Sequence, residues 1–132
     1  MDEDNDPTNR FSERSHYWVF DMYYNYFGNK MVQCESSSPD LSVYASKVDD
    51  NTISIMAINK TKLGISRAKL NIKGATVQGS GKAYQLSEKE YVWSKELYRP
   101  IVNSGPTEIN ADLSNGTYDF PPYSVTLLQV KI

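Results

Sequence analysis

The chain has 132 residues, the size of one domain and far short of the roughly 250 that a complete (β/α)8 barrel needs. Its 39% hydrophobic and 23% charged residues exclude a disordered chain, and its most unusual count is ten tyrosines. The net charge of −2 comes from Asp2, Glu3, Asp4 and Asp6; the rest of the chain has 14 basic and 12 acidic groups. It has no Lys/Arg cluster of the kind that tracks phosphates, so nucleic acid is not expected as a partner.

Residues 1–11 read as a disordered acidic tail, and residues 12–132 as one β-sandwich domain with a leading helix over 12–28. Ser12 is the expected N-cap, with Glu13 in the first turn. Phe20, Tyr24 and Phe27 share one helical face, with Tyr17 three residues before Phe20, and Gly28 stands where a C′ glycine ends a helix. Tyr, Phe, Val and Trp are middling helix formers, so a strand is the alternative here. Trp18, Tyr23 and Tyr26 lie off that face. A helix apolar on two sides seeks burial on both, which marks these three as a candidate domain interface.

From residue 41 the period changes to two. Leu41, Val43 and Ala45 alternate with polar residues, Asp49-Asp50-Asn51 is a turn, and Ile53, Ile55 and Ala57 begin a second run. Two such runs form a hairpin, and the second is apolar at both parities near its end, as in a central strand. Strands are also expected over Arg67–Ile72, Lys82–Leu86, Ile109–Leu113 and Tyr123–Ile132, with a short edge piece over Tyr98–Val102 around Pro100. Ser87–Leu97 is a polar excursion, and Asn115-Gly116 is the strongest two-residue turn signal. Seven to eight short strands separated by turn chemistry predict an all-β fold, an antiparallel sandwich with one N-terminal aromatic helix.

Chemistry is sparse. One histidine, His16, and one cysteine, Cys34, exclude a multi-histidine zinc site and a Cys-x-x-Cys pair, and no phosphate loop is present. No metal or cofactor is expected. Asp49 and Asp50 fall in a turn; Glu88, Glu90 and Glu96 alternate with Lys89 and Lys95 as on a solvated face. No two acids sit where one would be held neutral and the other charged, so no catalytic residue is assigned. No apolar run reaches the roughly 18 residues of a membrane span, so no membrane partner is expected. The first residues lack the basic and apolar regions of a signal peptide. Two glycosylation triplets begin at Asn59 and Asn115. Tyr91, Trp93 and Tyr98 lie within eight residues in a polar stretch, a spacing suited to a sugar-stacking platform or to capping the end of the sandwich.

Three segments carry a resemblance. Met22-Tyr23-Tyr24-Asn25-Tyr26-Phe27-Gly28 resembles the Met-Tyr-x-Asn-Tyr-x-Gly end of the last barrel helix in family 44 glycoside hydrolases, which are cellulases and xyloglucanases. Ser42-Val43-Tyr44-Ala45, then Ile53 to Lys60, is similar to that family's next two strands, and Phe120-Pro121-Pro122-Tyr123-Ser124-Val125-Thr126-Leu127 to its terminal strand. Residues 87–99 match no pattern of the family. The resemblance implies a C-terminal sandwich attached to a catalytic (β/α)8 barrel in a secreted enzyme. The family's catalytic glutamates lie on barrel strands with no counterpart here. It leaves three readings: a non-catalytic accessory domain partnered by the barrel, a module binding plant cell-wall polysaccharide, and, last, a small hydrolase in its own right.

Overall fold

A computed structural model describes residues 15–62, 64 and 66–132; the expected tail and the expected N-cap Ser12 lie outside them. The chain orders as α1 (Ser15–Tyr26), β1 (Lys30–Val32), β2 (Leu41–Asp49), β3 (Thr52–Asn59), β4 (Ser66–Lys69), β5 (Ser80–Leu86), β6 (Tyr91–Ser94), β7 (Arg99–Asn103), β8 (Thr107–Asp112), β9 (Thr117–Phe120) and β10 (Ser124–Lys131). A six-stranded sheet runs β1-β2-β3-β10-β5-β8, while β4-β9 and β6-β7 form separate two-stranded sheets. Every pairing is antiparallel. The fold class is the predicted one, with two to three strands more than expected.

The alternation sorts side chains onto two cores. Ile53, Ile55 and Ala57 of β3, with Leu128 and Val130 of β10, face a layer made by Phe120, Ala68, Tyr118 and the loop residues Leu70, Ile72 and Val77. Met56, Leu127, Tyr84 and Leu86 emerge from the opposite face and are covered by Met22 and Phe27. β3 and β10 are therefore buried on both sides, as the two-parity apolar pattern of β3 predicts.

Differences in the strands follow from length and partner. β1 and β9 are three and four residues long, too short to show periodicity. The run expected over Arg67–Ile72 leaves the ladder after Lys69, and Leu70 and Ile72 reach the core from a loop. Asn115-Gly116 does form a tight turn, Gly116 N donating to Leu113 O at 2.8 Å. It joins strands of different sheets, so the turn carries the chain from one layer to the other. Asp49 also behaves as turn chemistry requires, its carboxylate accepting from Asn51 N at 2.8 Å.

Gly28 closes the helix by a different mechanism from the expected left-handed cap. Its φ is not positive. A Cβ there would lie 2.4 Å from the carbonyl oxygen of Lys47, and its N–H donates to Ser46 Oγ at 2.8 Å. Close backbone approach, rather than conformation, selects glycine.

Candidate functional site

Helix α1 lies on the face of β10 and β5 with Trp18, Met22 and Tyr26 turned inward, a stripe of i, i+4, i+8. Met22 is fully buried. Tyr26 stacks on Tyr84 with ring centroids 3.7 Å apart and 9° between planes. The carbonyl of Tyr26, at the helix end, accepts from Ser54 Oγ at 2.7 Å and Gln129 Nε2 at 2.9 Å. The sheet thus satisfies a helix-terminal acceptor that would otherwise need water.

The inward face is not the one the spacing of Phe20, Tyr24 and Phe27 suggests. Only Phe27 of that set is buried; Phe20 is 68% and Tyr24 86% exposed. The cause is the surface underneath. Ser54, Gln129 and the flat ring of Tyr84 offer hydrogen bonds and a stacking plane, which Tyr26 uses, and Phe20 or Tyr24 in that position would not bring the helix carboxyl end to them. Of the three candidate interface residues, Trp18 and Tyr26 pack on the chain's own sheet and hairpin. Tyr23 is half exposed and stacks on Phe27 at 4.9 Å. The aromatics presented outward are Tyr17, Phe20, Tyr23 and Tyr24.

The excursion between β5 and β8 carries the β6–β7 hairpin, and two locks fix its base. Ser87-Glu88-Lys89-Glu90 has the Ser-x-x-Glu spacing of a capping box, here closing a single turn. Glu90 Oε1 accepts from Ser87 N at 2.8 Å and Ser87 Oγ at 2.7 Å, and Oε2 accepts from Thr107 Oγ1 at 2.7 Å. Ser104 N donates to the carbonyl of Glu90 at 3.0 Å. Glu90 is buried, so its expected place on a solvated face is corrected: charge alternation hid a carboxylate whose acceptors are all engaged internally. The second lock is Trp18 Nε1 donating to Asn103 Oδ1 at 2.7 Å. Its indole lies 3.0 Å from where a Cβ of Gly105 would stand, and Gly105 has φ of +81°, so glycine is required there twice over.

The hairpin separates the three candidate sugar-stacking residues. Tyr91 pairs with Asn103 at the base and is partly buried against the helix-side core, in one cluster with Trp18 and Tyr26. Trp93 pairs with Pro100 further out, beyond an irregularity in the ladder, and is over a third exposed. Tyr98 sits in the tip with φ of +53° and 64% exposure. A second left-handed tyrosine is Tyr123, the first residue of the strand expected over Tyr123–Ile132. It stands one residue before β10 with φ of +48°.

Two surface carboxylates are paired with cations. Asp119 takes both Nε and Nη2 of Arg67, at 2.7 and 2.9 Å, which holds its carboxyl below the usual range. Glu108 accepts from Lys82 at 2.6 Å. Among the described residues no three His, Cys, Asp or Glu side chains gather as metal ligands would. Cys34 is exposed, and partial burial, then the neighbouring Glu35 charge, push its thiol up, away from thiolate reactivity. Two open grooves, of about 480 and 450 Å³, lie around Asn71–Val77 and around Lys82, Asn110 and Gln129, away from the hairpin tip.

No family model matches the chain, and no curated protein matches it in sequence. Solved structures do. A bifunctional glucanase-xylanase from a metagenome library superposes with a TM-score of 0.68 at 23% identity, over 91% of this chain and 23% of that one. The family 44 endoglucanase of Clostridium thermocellum gives 0.67 at 20% identity, over 86% and 22%. The fold is that of one part of a family 44 glycoside hydrolase. A family 44 xyloglucanase of Paenibacillus polymyxa, solved with xyloglucan, gives 0.65 at 22% identity, over 88% and 23%. The family 51 α-L-arabinofuranosidase of Thermotoga petrophila gives 0.63 at 16% identity, over 86% and 28%. The chain spans under a quarter of the length of its family 44 neighbours.

Proposed function

We propose that the chain is a non-catalytic accessory sandwich of a secreted polysaccharide-degrading glycoside hydrolase, and that α1 seats it on the catalytic (β/α)8 barrel. The observation that carries this reading is the outward face of α1, with Phe20 68% and Tyr24 86% exposed beside Tyr17 and Tyr23. Four aromatic residues on a single helix face are the composition of an interface rather than of a solvated surface. The fold neighbours support it, because each is a glycoside hydrolase several times longer than this chain.

The test is a chimera in which this chain replaces the matching part of the Clostridium thermocellum endoglucanase. The expected protein melts as one unit and releases reducing sugar from soluble glucan. Phe20→Asp with Tyr24→Asp is expected to lower the chimera's melting temperature while leaving that of the isolated chain within about a degree, since both side chains are exposed in it. A chimera that melts in two independent steps with or without those substitutions would refute the reading.

A second reading, a module binding cell-wall polysaccharide, is favoured by the hairpin tip. Trp93 and Tyr98 hold exposed rings on a base fixed by Glu90 and Trp18. Tyr91 does not belong to this surface. Sugars stack their apolar faces on such rings, and an amphipathic ring on a rigid support loses little freedom in doing so. Native electrophoresis in gels cast with xyloglucan, β-glucan or xylan checks it: retention that Trp93→Ala removes supports it, and migration unaffected by every polysaccharide rules it out.

A further inference from the structure

Five described residues have positive φ, and three are glycines. The other two are Tyr98 and Tyr123. At such positions the Cβ crowds the following carbonyl oxygen; glycine escapes this, and asparagine tolerates it through local hydrogen bonds. Burial of a ring in a core would explain keeping a tyrosine there, but both residues are mostly exposed, at 64% and 56%. Backbone conformation alone would therefore favour glycine or asparagine at each.

The two turns also share a location. Tyr123 directly precedes β10, whose second residue, Val125, pairs with Leu86 at the end of β5. The excursion bearing β6–β7 departs from that same end of β5 and returns at Thr107, opposite Gln85. Tyr123 is held in place by its N–H donating to Thr61 O at 2.9 Å, and by the Pro121-Pro122 turn, where Ser124 Oγ donates to Pro121 O at 2.6 Å. Lys62 Nζ lies over the ring, 5.9 Å from its centroid, and brings a donor to that face. A half-exposed ring with an ammonium over one face offers a pyranose an aromatic surface for its apolar face and a donor for its rim of hydroxyl acceptors.

We propose that Tyr123 is a second stacking position for a polysaccharide chain, on the same end of the sandwich as Trp93 and Tyr98, and that its ring is retained there for ligand contact against local backbone strain. This rests on the second reading above and extends it to a residue outside the hairpin.

The test uses the full chain with xyloglucan, mixed-linkage β-glucan and xylan as probes, in native affinity gels and in thermal unfolding without sugar. Tyr123→Asn is expected to weaken retention roughly tenfold on the polysaccharide that retains the wild type, the loss of one aromatic contact. The same substitution is expected to leave the melting temperature unchanged or raise it by a few degrees, since it relieves strain. Tyr98→Asn is expected to weaken retention alike. Retention lost in Trp93→Ala but intact in Tyr123→Asn overturns the inference and leaves the hairpin reading standing. A wild type that no polysaccharide retains overturns both. A melting temperature that falls by several degrees in Tyr123→Asn also overturns it, because the ring would then be serving the fold.

Discussion

Asn59 ends β3 and ties it to the turn before β10. Its amide donates to Phe120 O at 3.1 Å and Pro121 O at 2.9 Å, and its Oδ1 accepts from Thr61 N at 3.2 Å. At 1% exposure it offers nothing to a glycosylating enzyme once the chain is folded, whereas Asn115 sits exposed in its turn. Asn59→Asp keeps the acceptor but sets a carboxylate oxygen against two carbonyls. It is expected to lower stability by about 2–3 kcal/mol in urea unfolding. Thr126 is the opposite case: its hydroxyl is buried with no hydrogen-bond partner among the described residues. Thr126→Val removes that penalty at nearly constant shape and is expected to raise stability by about 1 kcal/mol. Tyr118 donates to Gln85 Oε1 at 2.6 Å, and burial, then the Asp119 charge, push its pKa up to about 12. The unfolded chain releases this proton near pH 10. The folded state therefore holds a proton that the unfolded state has lost, so this stabilisation is complete below about pH 10 and falls away as the pH climbs toward 12. The stability gap between wild type and Tyr118→Phe should shrink across that window; a gap that stays constant would contradict it.

At the scale of elements, legibility depended on how one-sided each element is. β3 and β10 are readable within one residue because both parities face a core, whereas β2 is readable at its start but runs on to Asp49, which the sequence places in the turn. The helix is readable in its presence, and its end within two residues, but not in its facing. With aromatics all around it, the spacing of Phe20, Tyr24 and Phe27 competes with that of Trp18, Met22 and Tyr26, and only the sheet's hydrogen-bonding groups decide between them. Tyr91, Trp93 and Tyr98 are legible as aromatic residues close together in sequence. Their division into a buried Tyr91 and an exposed Trp93 and Tyr98 is not, because the hairpin's pairing and its irregularity are long-range facts. Glu90 carried a usable signal, the Ser-x-x-Glu spacing, which the flanking lysines disguised. Glu90→Ala removes three accepted hydrogen bonds from the hairpin base. Amides of β6 and β7 and of Ser104 are expected to exchange with solvent at least tenfold faster, while those of β3 and β10 slow or quicken only with global stability. Equal acceleration everywhere would show that Glu90 supports the whole sandwich rather than the hairpin.

The whole molecule is assembled from its ends inward. β10, last in sequence, lies between β3 and β5, and α1, first among the described elements, lies over β10. Leu127, Leu128 and Val130 are fully buried, and they serve both cores at once, Leu127 under the helix and the other two under β4–β9. Without β10 the sheet divides into β1-β2-β3 on one side and β5-β8 on the other, each with a newly unpaired edge, and both cores lose their shared strand. Neither half is then large enough to bury its apolar residues. A chain ending at Phe120 is therefore expected not to fold, with loss of near-ultraviolet circular dichroism and of amide dispersion. Replacing residues 91–104 by a short Gly-Ser loop deletes more residues but spares the six-stranded sheet, and should keep a cooperative transition at a lower midpoint. The order of these two outcomes is decided by topology rather than by the number of residues lost. Because most pairings join distant segments, folding of the intact chain should also be slow, in the millisecond-to-second range of sandwich proteins. Completion of β10 between β3 and β5 is the step that makes both cores at once. A truncated chain that still unfolds cooperatively would show instead that β1-β2-β3 and its covering strands form a unit of their own.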